Sequence, residues 1–139
     1  MKLILDASVA LPMWLPEEHT DAALAFREDI LKQIHELLAP DTLPIEVAHA
    51  LTRAERQGKI GVGSGQGLFD GFLDVCPTLH RYFDYVDRAM QLSSKFRIGV
   101  FDCLYVALSE EQECPVVTLD KRFLELFPDQ TISLTDLGS

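Results

Sequence analysis

Basic residues are scarce in this chain. Twelve Lys and Arg stand against 22 Asp and Glu, for a formal charge of −10, so no simple cationic surface for a polyanion follows from net charge. Cysteine is scarce too: Cys76, Cys103 and Cys114 are odd in number and widely spaced. That excludes a disulfide framework and a zinc site, and fits reduced thiols in a cytoplasmic protein. The four histidines (His19, His35, His49, His80) form no short metal-ligand spacing. Long hydrophobic runs are missing as well. The longest uncharged stretches, 7–16 and 60–69, have ten residues each, about half of what a membrane-spanning helix needs. Asp6 and Pro12 interrupt the apolar N-terminus, which argues against a signal peptide. Internal repeats, linkers and low-complexity tracts are absent.

What remains is ordinary globular composition: 139 residues, 47% apolar and 24% charged. That length supports one hydrophobic core-forming unit, and a single domain over 1–139 is expected. Charge is unevenly spread. Residues 17–38 carry six acids and two bases, and 109–139 seven and two, whereas 39–108 carry eight and seven. The middle segment is therefore where a nucleic-acid backbone is best tolerated. On a helix, Arg53, Arg56 and Lys59 would line one side of it.

Short apolar runs alternate with helical periodicity. Strands are expected at 2–5, 37–39, 75–79, 115–118 and 131–134. Helices are expected at 8–15, 17–34, 42–57, 68–74, 84–96, 102–113 and 121–126. Strands alternating with helices favour a parallel sheet covered on both faces. Six of the eight glycines crowd 58–71, but no G-x-G-x-x-G register fits and no G-K-[ST] follows, so a flexible link is expected, not a phosphate loop.

Four acids sit where a strand end or helix start is otherwise apolar: Asp6 after Leu-Ile-Leu, Glu46 in Leu-Pro-Ile-Glu-Val-Ala, Asp102 in Val-Phe-Asp-Cys-Leu, and Asp120 after Val-Val-Thr-Leu. In a parallel α/β sheet the carboxyl ends of the strands form the ligand crevice, and helices that follow strands start there. Taken singly, each acid has another role open to it. Asp6 and Asp102 suit helix caps, Glu46 suits a helix dipole, and Asp120 suits a turn. Taken together they suggest a cluster. Two like charges 4 Å apart repel by about 4 kcal/mol at an effective dielectric of 20. A hard divalent cation such as Mg²⁺ or Mn²⁺ relieves that repulsion.

These pieces, with Pro-Ile-Glu-Val-Ala-His-Ala-Leu at 44–51, Phe-Asp-Cys-Leu-Tyr-Val-Ala-Leu at 101–108 and Val-Thr-Leu-Asp-Lys-Arg-Phe at 117–123, resemble PIN-domain ribonucleases, most of all the VapC-like toxins of toxin–antitoxin pairs. The resemblance runs over nearly the whole chain. It implies a five-stranded parallel sheet of order 3-2-1-4-5 sandwiched by helices. It implies a Mg²⁺- or Mn²⁺-dependent endoribonuclease that leaves a 5′-phosphate and a 3′-hydroxyl. It maps the catalytic and metal-binding acids onto Asp6, Glu46, Asp102 and Asp120, with Ser8 and Thr118 supporting them. Lys95 and Arg97 are candidate phosphate contacts. An RNA substrate, an antitoxin partner, a homodimer and a cytoplasmic location are implied by resemblance only. Two other readings stay open: a PIN-fold protein-binding module without an assembled metal site, and a nuclease for branched DNA.

Overall fold

The structure, a computed structural model, describes residues 1–137. The strands are β1 (Lys2–Leu5), β2 (Glu36–Pro40), β3 (Thr78–His80), β4 (Val116–Thr118) and β5 (Thr131–Ser133). The helices are α1 (Ala7–Trp14), α2 (Asp21–Leu31), α3 (Leu43–Arg56), α4 (Gly65–Asp74), α5 (Val86–Phe96), α6 (Val100–Gln112) and α7 (Lys121–Leu126). All strand pairings are parallel, in the order β3-β2-β1-β4-β5. The fold read from the sequence is borne out, order included.

Successive side chains of a strand point to opposite faces, and this splits the apolar residues into two cores. Leu3 and Leu5 of β1, Leu37 and Ala39 of β2, and Val117 of β4 pack with α1 to α4. Ile4, Leu38 and Val116 pack on the other face with α5, α6 and α7. Both faces of β1, β2 and β4 are therefore buried, which is why they read as unbroken apolar runs and not as alternating ones. Met13 and Phe72 are core, and Trp14 and Phe69 pack against it. Gly71 is required by that packing: a Cβ there would stand 2.8 Å from the Trp14 ring.

Several expected boundaries move, each for a local reason. The helix expected at 17–34 is broken. Pro16 opens a short 3-10 turn at Pro16–Glu18, and α2 starts anew at Asp21, where the Thr20 hydroxyl accepts the Ala23 N–H at 3.1 Å. The helix α6 starts at Val100 behind an extended Gly99, so Asp102 lies inside its first turn and is not the cap. The helix α3 ends at Arg56, which leaves Lys59 off the helix that carries Arg53. A 3-10 turn at Tyr82–Tyr85 precedes α5, and β3 lies at 78–80, later than expected. The helix α4 begins at Gly65, whose N–H donates to the Glu55 carboxylate at 2.9 Å. An acid holding that amide confirms that 58–71 is no phosphate loop.

Strand order reverses between β1 and β4, whose neighbours lie on opposite sides. Ligands of open α/β sheets bind at the carboxyl edge beside such a switch. Asp6 directly follows β1, and Asp120 follows β4 by two residues. The helix α3 leaves β2, so it begins at the carboxyl edge. The helix α6 feeds into the start of β4, so its own first turn lies at that same edge. Glu46 and Asp102 sit in those two first turns. No described helix is long and apolar enough to cross a membrane.

Candidate active site

Asp6 is the most enclosed of the four acids, 6% exposed. It stands at the N-cap position of α1, yet its side chain caps nothing. Instead Oδ2 accepts hydrogen bonds from Ser8 Oγ (2.6 Å) and Thr118 Oγ1 (2.7 Å). The Ser8 Oγ in turn accepts the Leu119 N–H (3.0 Å), and Thr118 Oγ1 accepts the Asp120 N–H (3.1 Å). One hydroxyl pair thus ties the ends of β1 and β4 together and orients the Asp6 carboxylate. Burial raises the Asp6 pKa, against the pull of the Ser8 and Thr118 hydroxyls.

Glu46 accepts a hydrogen bond from the buried Tyr105 hydroxyl (3.2 Å). Burial pushes its pKa up to about 7. The Tyr105 and Thr42 hydroxyls oppose the rise, and the charges of Asp6 and Asp102 add to it. The Tyr105 phenol is itself held well above its usual range, first by burial and then by the charge on Glu46, so it stays a donor. Asp102 is raised by burial and by the charges of Asp6 and Asp120, and Arg122 opposes this. Asp120 caps α7: Oδ1 accepts the N–H groups of Arg122 (2.9 Å) and Phe123 (3.2 Å).

The structure therefore brings Asp6, Glu46 and Asp102 within electrostatic reach of one another, and Asp120 within reach of Asp102. Neither ion pair among the described residues, His35 with Asp29 and Arg88 with Glu110, involves them. Desolvated carboxylates without a bonded counter-charge are costly. The donors are all hard oxygens, and that chemistry fits Mg²⁺ or Mn²⁺. As the side chains stand, no group of three or more acids, His or Cys among the described residues is set to hold a metal ion.

Two open clefts lie in this region, and the first has one of the acids, Glu46, in its wall. One, of about 590 Å³, is lined by Ile45, Glu46, Ala48, His49, Thr52 and Phe101. The other, of about 480 Å³, holds Arg97 and Arg122 beside Ser94 and Gly99. Arg97 ends α5 in the left-handed conformation (φ 60°), and its carbonyl accepts from the Arg122 guanidinium at 3.1 Å. The two basic residues singled out before Asp102 thus part company. Arg97 shares a cleft with Arg122, whose charge acts on Asp102, whereas Lys95 lies over the Phe96 ring at 5.3 Å and lines a separate cleft with Arg88 and Glu110.

Sequence reasoning did not single out Tyr105, Arg122 or Phe101. A signal existed for Tyr105: it is a polar-tipped ring in an otherwise aliphatic run, three residues after Asp102 and so on the same helix side. Arg122 was hidden in an ordinary charged turn.

Comparison with known proteins gives the family and the fold. The PIN domain family model matches residues 3–126. The chain belongs to the PIN-domain family. It is 31% identical over 130 residues to Ribonuclease VapC3 of Pyrobaculum aerophilum, covering 92% of this chain and 96% of that protein. It is 23% identical over 120 residues to Ribonuclease VapC9 of Mycobacterium tuberculosis, covering 86% and 87%. The fold matches the crystal structure of PAE2754 from Pyrobaculum aerophilum with a TM-score of 0.75 at 18% identity, over 99% of this chain and 92% of that one. It also matches VapBC2 from Rickettsia felis, bound to a DNA fragment from their promoter, with a TM-score of 0.67 at 14% identity, over 96% and 98%. The likeness to VapC ribonucleases read from the sequence is borne out.

Proposed function

We propose that this chain is a single PIN-like domain acting as a divalent-metal-dependent endoribonuclease, the toxin of a toxin–antitoxin pair in the cytoplasm. The observation that carries the reading is the buried Asp6 carboxylate at the β1/β4 switch point, with Glu46 and Asp102 close enough for their charges to act on one another and no ion pair to any of them among the described residues. Asp6, Glu46, Asp102 and Asp120 would hold Mg²⁺ or Mn²⁺. The ion would supply a Lewis acid that offsets charge on the scissile phosphate and makes bound water more acidic.

The chain's own residues have distinct parts. Ser8 and Thr118 fix the Asp6 carboxylate by two hydrogen bonds, so it is oriented before any ligand arrives. Tyr105 keeps Glu46 Oε1 in place. Arg97 and Arg122 offer the phosphate backbone positive charge beside an otherwise acidic site. No Ser, Cys or His nucleophile is needed. A cognate antitoxin and a second copy of the chain are the partners that the likeness to VapC proteins suggests.

A second reading is a PIN-fold module without catalysis. It is favoured by the Asp120 side chain, one oxygen of which is already committed to capping α7. The test is cleavage of a mixed tRNA pool and of a matched single-stranded DNA, in Mg²⁺ or Mn²⁺ and then in EDTA. We expect cuts in RNA only, lost in EDTA, with 5′-phosphate ends. Equal cutting of DNA contradicts the RNA assignment. No cutting, together with no heat on titrating Mn²⁺, favours the module.

A further inference from the structure

Arg97 and Arg122 share a cleft of about 480 Å³ with Ser93, Ser94, Ile98 and Gly99. In a chain with 22 acids and 12 bases, this lining holds two arginines and no acid. Neither guanidinium takes part in an ion pair among the described residues. For Arg122 that is unexpected. Its backbone N–H donates to Asp120 Oδ1 at 2.9 Å, and its charge acts on Asp102. An arginine placed among carboxylates ordinarily forks onto one of them. Here Nη2 donates instead to the neutral Arg97 carbonyl at 3.1 Å. A guanidinium has five N–H donors, and this bond uses one. The charge of Arg122 is therefore not neutralised within the chain.

The cleft is held in shape from both sides. The Arg97 N–H donates to the Ser93 carbonyl at 2.9 Å, and the Ser93 hydroxyl to the Ile98 carbonyl at 2.5 Å. Arg97 itself is left-handed (φ 60°), a conformation that suits glycine best and strains an arginine. Gln33 and Glu113 adopt it too, so the backbone alone assigns Arg97 no role. Complementing the α5 dipole does not explain the arginine either, because Lys95 already stands in the last turn of that helix. What sets Arg97 apart is the second unpaired guanidinium in the same cleft. Two such groups without a carboxylate between them call for an anion, and their planar N–H forks match phosphate oxygens.

Resting on the ribonuclease reading, we propose that the Arg97–Arg122 cleft binds a phosphate of the RNA strand other than the one that is cut. The scissile phosphate belongs to the acids and their metal. The cleft grips a second point of the backbone and so fixes where the strand lies. Arg97 and Arg122 are then substrate-binding residues, felt in KM and not in kcat. A free phosphate offers the same chemistry as an RNA phosphate, and the test separates the two.

In a first experiment, inorganic phosphate is titrated into EDTA-stripped protein at constant ionic strength, and the arginine Nε–H signals are followed by NMR. We expect those of Arg97 and Arg122 to shift together, and that of Arg88, paired with Glu110 at 3.0 Å, to stay. No shift, or equal shifts in all arginines, overturns the site whether or not RNA is cut. In a second, wild type, Arg97→Gly, Arg97→Lys and the control Lys95→Gln cut the tRNA pool in Mn²⁺ over a range of salt. Arg97→Gly removes the charge and the backbone strain together, so its melting temperature should not fall. Its KM should rise roughly 3- to 10-fold at low salt with kcat held, between the worth of an exposed ion pair and of a charged hydrogen bond. The slope of log KM against log salt should shrink by about 0.7, one phosphate contact on a single strand. Arg97→Lys, which keeps the charge, should recover most of the loss in KM. An equal rise of KM in Lys95→Gln overturns the proposal, because overall charge and not the cleft would then be at work. Phosphate binding with an unchanged KM in Arg97→Gly gives the cleft to a free phosphate and overturns the RNA assignment, leaving the nuclease reading intact. A wild type that takes phosphate here and cuts no RNA removes the nuclease reading and the RNA assignment with it.

Discussion

Asp6→Asn is expected to lose RNA cleavage by about 10²- to 10³-fold or more, the scale on which losing a single stabiliser of transition-state charge is felt. The same substitution should leave the metal-free protein at least as stable as wild type. This pairing of effects is unusual. Most substitutions at a 6%-exposed position destabilise, but here the native side chain is the costly one. Its carboxylate is desolvated, sits among other acids, and is answered by neutral hydrogen-bond donors, chiefly the Ser8 and Thr118 hydroxyls, and by no cation. An amide keeps the size and can still bond Ser8 and Thr118 while removing the charge. Relief of roughly 1–3 kcal/mol is expected, or several degrees in melting temperature for a chain of this size. Thermal melts in EDTA, run beside the cleavage assay, check both halves. A large drop in stability would mean that Asp6 is a structural residue and not an electrostatic burden carried for function.

The second large effect concerns pH. Glu46 is raised from 4.5 to about 7, and Asp6 and Asp102 are raised as well. A carboxyl group whose pKa is raised on folding holds its proton more tightly in the folded state. Its relative contribution to stability is then complete below the unfolded pKa and is lost as pH rises through the folded pKa. For Glu46 that window runs from 4.5 to about 7. In EDTA, the stability of wild type relative to Glu46→Gln should therefore fall across it. After allowance for partial solvent exposure, a fall of about 2 kcal/mol is expected. Chemical denaturation of both proteins at pH 4.5 and pH 7.5 reads the difference directly. A difference that does not change with pH would mean that Glu46 is solvated and uncoupled from its neighbours. Saturating Mn²⁺ should cancel the penalty, because a ligand that binds only the folded state at 100 times its Kd adds about 2.7 kcal/mol.

Much of this was legible in the residues, for identifiable reasons. Strands buried on both faces read as bare apolar runs, so β1, β2 and β4 stood out, and the acid closing each of two such runs marked the crevice. The resemblance supplied the strand order, which no local pattern carries. What stayed hidden was set by distance in the chain. Tyr105 meets Glu46 across 59 positions, and no spacing rule reaches that far; the support of Asp6 by Thr118, across 112 positions, came from the resemblance and from no spacing. Arg122 and Phe101 were hidden differently: a charged turn residue and an apolar helix residue are unremarkable until their surroundings are known. Helix starts were misjudged where the cap was a backbone feature, as at Gly99, and not a capping side chain.

The central claim is that the four acids form one working metal site. The most direct test adds Mn²⁺ to EDTA-stripped wild type and to the quadruple variant Asp6→Asn, Glu46→Gln, Asp102→Asn, Asp120→Asn, and records melting temperature and tRNA cleavage together. The account predicts that the wild type alone gains stability and alone cuts. Equal shifts in both proteins, or a wild type that gains neither stability nor activity, would contradict it.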